Sequence, residues 1–380
     1  MVIVSIIIIF FYLFLIGTFA FGFDKVPPFK LKDLPKKNTF TIVIPFRNEA
    51  ENLPNLLKSI SQLEYPNSSY EIIFVDDQSN DNSVTVIKQV LDTFSLNENT
   101  RINIRVIKNE RTSNSPKKDA ITSAIKQAKN DWIITTDADC ILPQNWLNNF
   151  DEFIQQKKVK CIVAPVTYSN SKTFLNRFQL LDLLSLQGAT IGGFGIKKAF
   201  LCNGANFAYR KSVFEKVNGF QGNTNIASGD DIFLLEKISK TYPNHVHYLK
   251  SEHGIVNTKP QSSWTLLIEQ RLRWASKTSA YNNWFGKLTG LIVLLTNALI
   301  ITLVLLSILG LFNLKIFLYL IIIKLLVDFI LIYKSASFFN QKEVLLSYPF
   351  AFVLYPFFTV YITFLSLFKN YKWKGRTFKR

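Results

Sequence analysis

The stretch TTDADCILPQNW (residues 135–146) places two carboxylates, Asp137 and Asp139, directly after the strand-like run WIITT. Upstream of it, apolar runs with strand character alternate with segments of helical spacing. The predicted strands are 39–46, 70–77, 102–109 and 131–139, and the predicted helices between them are 49–63, 83–94 and 117–128. This alternation is typical of an α/β domain that has a parallel sheet with helices on both faces. We expect the domain to occupy residues 38–260.

Four aspartates follow two of these strands, at the points where the strands end. They are Asp76, Asp77, Asp137 and Asp139. Ligands of such sheets gather at the carboxyl ends of the strands. Four carboxylates there would repel one another unless a cation joined them, and Mg²⁺ and Mn²⁺ favour carboxylates together with substrate phosphates. The alternative is that aspartates simply end strands as turn residues. No GxGxxG or GxxxxGK[ST] motif supports a dinucleotide or P-loop fold.

Two further motifs lie at predicted helix starts. Lys117 and Lys118 precede a helix, where they could meet a phosphate or form a solvated face. Asp230 and Asp231 begin a later helix in ASGDDIFLLEKI (227–238). Aspartates at a helix start serve as caps, and a carboxylate beside an incoming hydroxyl could also act as a general base.

The stretch QRLRW (270–274) comes just before an apolar segment. An aromatic and basic amphipathic helix at a membrane interface would explain it without chemistry. Arginine also binds diphosphates through two parallel hydrogen bonds, so a substrate-binding role is the alternative.

Four segments are long and apolar enough for a membrane. Residues 1–23 and 288–314 carry no charged side chain, 344–368 is uncharged but holds two prolines, and 316–333 has only Lys324 and Asp328 as charges. A spanning helix needs about 20 apolar residues, so we expect one N-terminal helix and two to three further segments. Lys324 and Asp328, four apart, could form a self-neutralising pair or mark a polar seam. A cleaved signal peptide is a weaker explanation of residues 1–23, because no Lys or Arg precedes the apolar run and the run is too long.

The positions of basic residues predict which parts of the chain face the cytoplasm. Lysines follow residue 23, and the tail 369–380 has six basic and no acidic residues, so both should face the cytoplasm. Three full crossings between the domain and the tail would put the tail outside. We therefore expect 344–368 to be re-entrant or interfacial.

The formal net charge of +17 is compatible with nucleic acid, anionic lipid or a phosphorylated substrate. The basic residues flank membrane segments, where anionic lipids explain them, so we expect no nucleic-acid partner. Three cysteines without a CxxC motif are expected to be reduced, buried thiols.

In their order, the motifs resemble those of the membrane-integrated glycosyltransferases of family 2, which include cellulose, chitin, hyaluronan and poly-N-acetylglucosamine synthases. The matching stretches are IPFRNEAENL (44–53), VDDQS (75–79), DAD (137–139), GANFAYRKSVFEKVNGF (204–220), GDD (229–231) and QRLRW (270–274). The resemblance covers residues 38–285 and implies a GT-A fold flanked by transmembrane helices. It also implies a UDP-sugar donor, with GlcNAc or glucose as the sugar, and Mg²⁺ or Mn²⁺ as cofactor.

The resemblance also implies roles for particular residues. Asp231 would be the general base, with Asp230 as its competitor because GDD stands where TED or ED is frequent. Nucleotide-sugar binding would fall to Glu49, Asp76, Asp77, Lys117, Asp137 and Asp139, of which Asp139 and Asp137 would hold the metal. The acceptor and diphosphate platform would be Asn206, Gln270, Arg271, Arg273 and Trp274. Gln78 stands where the family commonly has glycine.

These implications predict an inverting glycosyltransferase of the inner membrane that builds or extends a β-linked surface polysaccharide from the cytoplasmic side. Alternatives are transfer of a single sugar to a lipid acceptor, and a catalytically inactive membrane scaffold. Only one predicted membrane helix precedes the domain, so a pore would need a second copy of the chain or an export partner. The predicted order is a membrane helix (1–23), the GT-A domain (38–260), interfacial helices (261–286), a membrane region (287–368) and the basic tail (369–380).

Overall fold

The computed structural model describes residues 1–95, 102–169, 172–277 and 280–378. Its contacts divide the chain into two compact units. The sheet unit comprises residues 27–169 and 202–259, and the helical unit comprises residues 1–26, 170–201 and 260–380. Residues 170–201, which lie inside the predicted domain range, therefore group with the two ends of the chain.

Strands and helices alternate through the first part of the sheet unit, as the sequence predicts. The strands are β1 Phe40–Phe46, β2 Tyr70–Asp76, β3 Asn103–Lys108, β4 Trp132–Thr135, β5 Cys161–Val163, β6 Val166–Tyr168, β7 Phe207–Arg210, β8 Val246–Tyr248, β9 Val256–Thr258, β10 Tyr371–Trp373 and β11 Arg376–Phe378. The helices are α1 Val2–Lys25, α2 Leu53–Ser61, α3 Ser83–Ser95, α4 Pro116–Gln127, α5 Trp146–Gln156, α6 Phe174–Gly195, α7 Lys211–Lys216, α8 Asp230–Thr241, α9 Trp264–Ser276, α10 Trp284–Ile308, α11 Leu314–Phe338 and α12 Tyr348–Phe368.

Seven strands form the main sheet in the order β3-β2-β1-β4-β7-β5-β8. The strands β1 to β4 are parallel to one another, while β7 runs antiparallel between β4 and β5. This mostly parallel α/β sheet confirms the predicted fold class. Because β2 and β4 lie on either side of β1, the carboxyl ends of all three strands meet at one edge of the sheet.

The core of the sheet unit follows from the sequence pattern. The central strand β1 is apolar at almost every position, and Ile42 and Ile44 are fully buried, as expected of a parallel strand covered on both faces. Helix α2 presents Leu53, Leu56 and Ile60 on one buried face, the spacing of an amphipathic helix.

The helical unit contains four helices that are long and apolar enough to cross a membrane, counted over the described ranges. They are α1, α10, α11 and the stretch Lys342–Phe368, in which a short 3₁₀ turn precedes α12. Large apolar side chains stay exposed on their outer faces, for example Phe10, Phe14 and Phe350, as lipid-facing side chains would be.

Helices α1 and α6 pack closely along each other within the helical unit. Gly192 and Gly195 of α6 meet the backbone of α1 at Phe19 and Gly22, and a Cβ at either glycine would collide with a carbonyl oxygen. Small residues let two helix backbones approach in this way, which is a common basis of helix association in membranes.

Candidate active site

The edge of the sheet at the carboxyl ends of β1, β2 and β4 collects most of the predicted nucleotide-binding residues. In the sheet register, Asp76 ends β2 opposite Phe46 of β1, and Thr135 ends β4 opposite Val43. Asp137 and Asp139 follow in the turn after β4 and are both half-exposed. The structure thus places the two pairs of aspartates at the same edge, on either side of β1.

The first aspartate pair is firmly held. Asp77 is buried and accepts two hydrogen bonds from Arg111, from Nε at 2.7 Å and from Nη2 at 2.8 Å. It also accepts one from the Asn109 amide at 2.7 Å. Asp76 is half-buried and accepts from the backbone N–H of Ser79 at 2.9 Å. Asp77 therefore fixes Arg111 beside this site, while Asp76 is the more accessible carboxylate of the two.

The loop after β1 packs against this pair. The Arg47 guanidinium donates to the backbone carbonyls of Asp77, at 2.9 Å, and of Gln78. Gln78 has φ of 60°, in the left-handed region where glycine is adopted without steric cost. This explains why glycine suits that position of the motif. Glu49 is buried, and its carboxylate accepts from the Asn52 amide at 2.6 Å.

Lys117 joins the DAD turn to the GDD turn. Its Nζ lies 2.6 Å from Oδ1 of Asp137 and 3.4 Å from Oδ2 of Asp230. Burial by itself would lower the pKa of Lys117, but the carboxylates of Asp137, Asp230 and Asp231 hold that pKa well above its usual value. The ammonium group is therefore charged at neutral pH, and it offsets the repulsion among these acids.

The neighbouring Lys118 has a different environment. Its side chain is 1% exposed, and its Nζ donates to the carbonyls of Asn223 at 2.7 Å and Ile226 at 2.8 Å. It also lies over the ring of Phe233. Lys118 is thus neither a solvated charge nor a phosphate ligand in this structure; it anchors the loop that leads into the GDD motif.

Asp231 is oriented by the backbone. Its Oδ2 accepts from the N–H of Gly204 at 3.1 Å, and its Oδ1 accepts from the N–H of Ile232 at 2.8 Å. A Cβ at Gly204 would come within 3.0 Å of Oδ2 of Asp230, so this turn needs glycine for the close approach. Asp231 stays half-exposed, whereas Asp230 is buried against Lys117. This difference favours Asp231 as the group that can reach a substrate hydroxyl.

Asn206 lies in the interior of the sheet unit. It is fully buried; its Oδ1 accepts from Nε1 of Trp146 at 2.9 Å, and its amide donates to the carbonyls of Pro165 and Gly254. All of these bonds are made within the protein. Asn206 therefore positions the GAN segment, and its amide does not lie on an open surface.

The QRLRW residues lie on α9, in the helical unit. Arg271 is buried and contacts Asp182 of α6, from Nε at 2.7 Å and from Nη2 at 2.6 Å. The ring of Trp274 lies 4.1 Å from this guanidinium, and Gln270 accepts a hydrogen bond from it. Arg273 points instead to the β10–β11 hairpin, where it lies over the ring of Trp373.

A divalent cation fits the DAD turn in part. Asp137 and Asp139 offer hard carboxylate oxygens with access to solvent, of the kind that Mg²⁺ and Mn²⁺ prefer. Within the part of the chain that is described, no three His, Cys, Asp or Glu side chains come together as a metal-binding group. The protein thus supplies two carboxylates, and the phosphates of a substrate would have to complete the coordination. Lys117 and the cation would then share Asp137.

Comparisons with known proteins agree with this geometry. The glycosyl transferase family 2 model matches residues 41–217, and the glycosyl transferase family group 2 model matches residues 132–332. The chain belongs to the family 2 glycosyltransferases. This is the family that the order of the motifs predicts.

Curated relatives are distant. The chain is 26% identical to the probable glycosyltransferase YdaM of Bacillus subtilis, over 64% of this chain and 56% of that protein. It is 22% identical to the poly-beta-1,6-N-acetyl-D-glucosamine synthase of Staphylococcus epidermidis, over 69% of this chain and 61% of that protein. The chain thus spans roughly 56–61% of the length of these two relatives.

Among solved structures, the mannosyltransferase PcManGT from Pyrobaculum calidifontis superposes with a TM-score of 0.54 at 15% identity, covering 96% of each chain. At this identity the likeness shows the fold alone.

Sequence reasoning missed Arg111, which shapes this site, and it did not predict the buried position of Lys118. Arg111 belongs to no motif, but it follows a predicted strand at the edge that carries Asp77. That placement was the available signal. Lys118 belongs to a motif that the sequence analysis names, but the sequence does not distinguish its buried position on α4 from the half-exposed position of Lys117.

Proposed function

We propose that this enzyme transfers a sugar from a UDP-sugar to an acceptor hydroxyl with inversion at the anomeric carbon. The observation that carries the proposal is the orientation of Asp231. Its carboxylate is fixed by the N–H groups of Gly204 and Ile232 and lies beside the Lys117–Asp137 pair. A fixed, half-exposed carboxylate next to a diphosphate-binding turn has the placement required of a general base.

In the proposed mechanism, Asp231 takes the proton of the acceptor hydroxyl as its oxygen attacks the anomeric carbon. The bond from that carbon to the diphosphate oxygen breaks on the opposite face, and the product has the β configuration. Lys117 stabilises the charge that develops on the leaving diphosphate. A Mg²⁺ or Mn²⁺ ion on Asp137 and Asp139 would neutralise further diphosphate charge when bound. Arg111, held by Asp77, is placed to support the nucleotide end of the donor.

The donor is proposed from the resemblance. GlcNAc or glucose carried by UDP is the first expectation, and the name of the Staphylococcus epidermidis synthase supports GlcNAc. PcManGT was crystallised with GDP-Man and Mn²⁺, so GDP-mannose is the donor to test beside them.

The acceptor is proposed to be a growing surface polysaccharide. A second candidate is a single lipid acceptor, because the helical unit contains an apolar cavity whose wall includes Asp182, the ion-pair partner of Arg271 on α9. One relative is named as a beta-monoglucosyldiacylglycerol synthase, from Nostoc.

We place the enzyme in the inner membrane with the sheet unit in the cytoplasm. Within the helical unit, the β10–β11 hairpin packs on α9, where the backbone N–H of Lys372 donates to Glu269 at 3.0 Å. Helix α9 precedes α10 and the hairpin follows α12, so both ends of this three-helix stretch lie on the same side. Three full crossings would separate them. One of the three helices therefore does not cross, and α12, which packs on α9 and contains Pro356, is the best candidate.

The test uses the full chain, purified in detergent with Mn²⁺ or Mg²⁺ and a panel of UDP-sugars and GDP-mannose. Nucleotide release and product size are measured for the native protein, Asp231→Asn and Asp230→Asn. We expect Asp231→Asn to lower the turnover number by about 10²–10⁴-fold, the usual contribution of a general base. Asp131→Asn is the matched control, since Asp131 is exposed at the other end of β4, where its carboxylate accepts hydrogen bonds from Arg210 at 3.0 Å and from the backbone N–H of Ser212 at 3.3 Å. Equal turnover in Asp231→Asn and Asp131→Asn would remove Asp231 from the mechanism.

A further inference from the structure

The helical unit contains a partly open cavity of about 150 Å³ among α1, α6, α10, α11 and α12. Most of its wall is apolar, with Phe19, Phe200, Val293 and Phe352 among the lining side chains. An apolar cavity of about 150 Å³ stays dry and takes up molecules such as benzene. The space therefore suits a short length of hydrocarbon chain.

The charged groups of the wall are paired with one another. Lys324 is 1% exposed and lies 2.8 Å from Asp328, which also accepts a hydrogen bond from the hydroxyl of Tyr12 at 2.6 Å. On another part of the wall, Asp182 is paired with Arg271 at 2.6 Å. Each acidic group thus has its cation, and the cavity presents no net charge to an occupant.

These properties exclude a sugar chain from the cavity. A glycan would leave most of its hydroxyl groups facing apolar walls, and each unpaired buried hydroxyl costs about 1–3 kcal/mol by mutational data. A hydrocarbon chain has no hydroxyl groups to leave unpaired, and it makes dispersion contacts with the apolar wall. The occupant that fits is therefore apolar and uncharged within the cavity.

Asp182 connects the cavity to the QRLRW helix. The same carboxylate that lines the cavity binds Arg271 of α9, whose guanidinium stacks on Trp274. Asp182 thus joins the cavity wall to a helix with basic and aromatic side chains.

We propose that this cavity binds one alkyl chain of a membrane lipid, with the headgroup of that lipid near α9. The binding site itself does not depend on which sugar is transferred. Only the interpretation of the lipid as an acceptor rests on the proposed function.

The test uses the full chain in lipid nanodiscs with a diacylglycerol that carries a photoactivatable diazirine near the end of one chain. Labelled peptides are identified by mass spectrometry. Val293→Phe fills the cavity from α10, and Leu295→Phe is the matched control, because Leu295 is exposed on the same helix and does not line the cavity. We expect Val293→Phe to reduce labelling about tenfold, which corresponds to about 1.4 kcal/mol, and Leu295→Phe to leave it unchanged. We also expect the labelled peptides to come from the cavity wall.

Equal labelling in the two variants, or labels confined to other helices, would overturn the proposal. Nucleotide release without acceptor reports whether the variants are folded and active. If Val293→Phe does not fold, Ala189→Leu fills the same cavity from α6 with a smaller side chain.

Competition with unlabelled lipids then identifies which lipid supplies the alkyl chain. Unlabelled diacylglycerol that competes better than phosphatidylcholine indicates an acceptor lipid, and equal competition indicates a resident bilayer lipid; both outcomes support the chain-binding site. Labelling that persists while every donor fails to release nucleotide would refute the proposed function and leave this site standing.

Discussion

Lys117→Met removes the one ammonium group that the structure places between Asp137 and Asp230 within the described residues. The two contacts are 2.6 Å and 3.4 Å long, and the exposed fractions of the side chains are 16% for Lys117, 35% for Asp137 and 11% for Asp230. Without the lysine, Asp230 becomes a nearly buried carboxylate with a second carboxylate, Asp231, next to it. We expect the sheet unit to be destabilised and donor binding to be weakened.

The expected loss of stability follows from the burial of the ion pairs that Lys117 makes. Breaking a fully buried ion pair by removing one partner costs about 3–5 kcal/mol. Solvent reaches Asp137, so we expect about 2 kcal/mol, or a fall in unfolding temperature of about 4–8 °C for a unit of this size. The raised pKa of Lys117 means that its contribution is fully present below the usual lysine pKa and is lost only above the folded value. The fall should therefore be the same at pH 6 and pH 9.

The assay is thermal unfolding of the purified full chain, with and without Mn²⁺, together with kcat/KM for the preferred donor. Mn²⁺ without donor should stabilise Lys117→Met more than the native protein, because Asp137 is then free for the cation. Lys216→Met is the matched control, since Lys216 is exposed on α7. If Lys117→Met and Lys216→Met unfold at the same temperature and keep the same kcat/KM, the bridging role of Lys117 is refuted.

Three further predictions test other parts of the fold. Gly192→Leu should lower the yield of folded protein, because its side chain would collide with the backbone at Phe19; size-exclusion chromatography against Gly290→Leu, where nothing lies within 4 Å, measures this. Cys140 should resist alkylation in the folded protein, since burial and the neighbouring aspartates raise its thiol pKa; peptide mapping should show the half-exposed Cys202 reacting first, and equal rates would contradict this. Burial lowers the pKa of His247, so stability should fall as the pH drops below about 6.5, and His247→Gln should show a smaller loss between pH 7.5 and pH 5.5 by thermal unfolding.

The sequence predicted β1 to β4 of the seven-stranded sheet, because each lies in a short strand-like segment bounded by polar residues. It predicted the site edge for the same reason, since parallel strands align their carboxyl ends. The sequence pattern did not predict that β7 runs antiparallel to β4, because the residues FAYR do not indicate the direction of a strand in the sheet. Its direction depends on the long connection from β4 through α5 and α6, and local residue preferences do not determine the path of that connection.

Two ion pairs could also not be predicted from the sequence, because their partners are far apart along the chain. Asp77 and Arg111 are 34 residues apart, and their contact exists only because β2 and β3 are adjacent. Asp182 and Arg271 are 89 residues apart and meet through helix packing. By contrast, Lys324 and Asp328 lie one helical turn apart, so the sequence could propose their pairing, and the structure confirms the ion pair.

The close packing of α1 on α6 has a consequence for the order of assembly. Residues 26–173 separate the two helices, so α1 must wait about 7–30 s for its partner at synthesis rates of about 5–20 residues per second. Strand β7, Gly204 and Asp231 are made only after α6. Asp231, the proposed general base, and Gly204, which orients it, are therefore added to the chain after α6 has been made. A chain stalled once α6 has left the ribosome, but before residues 204–231 have emerged, should hold α1 and α6 in contact while the sheet unit still lacks Gly204 and Asp231.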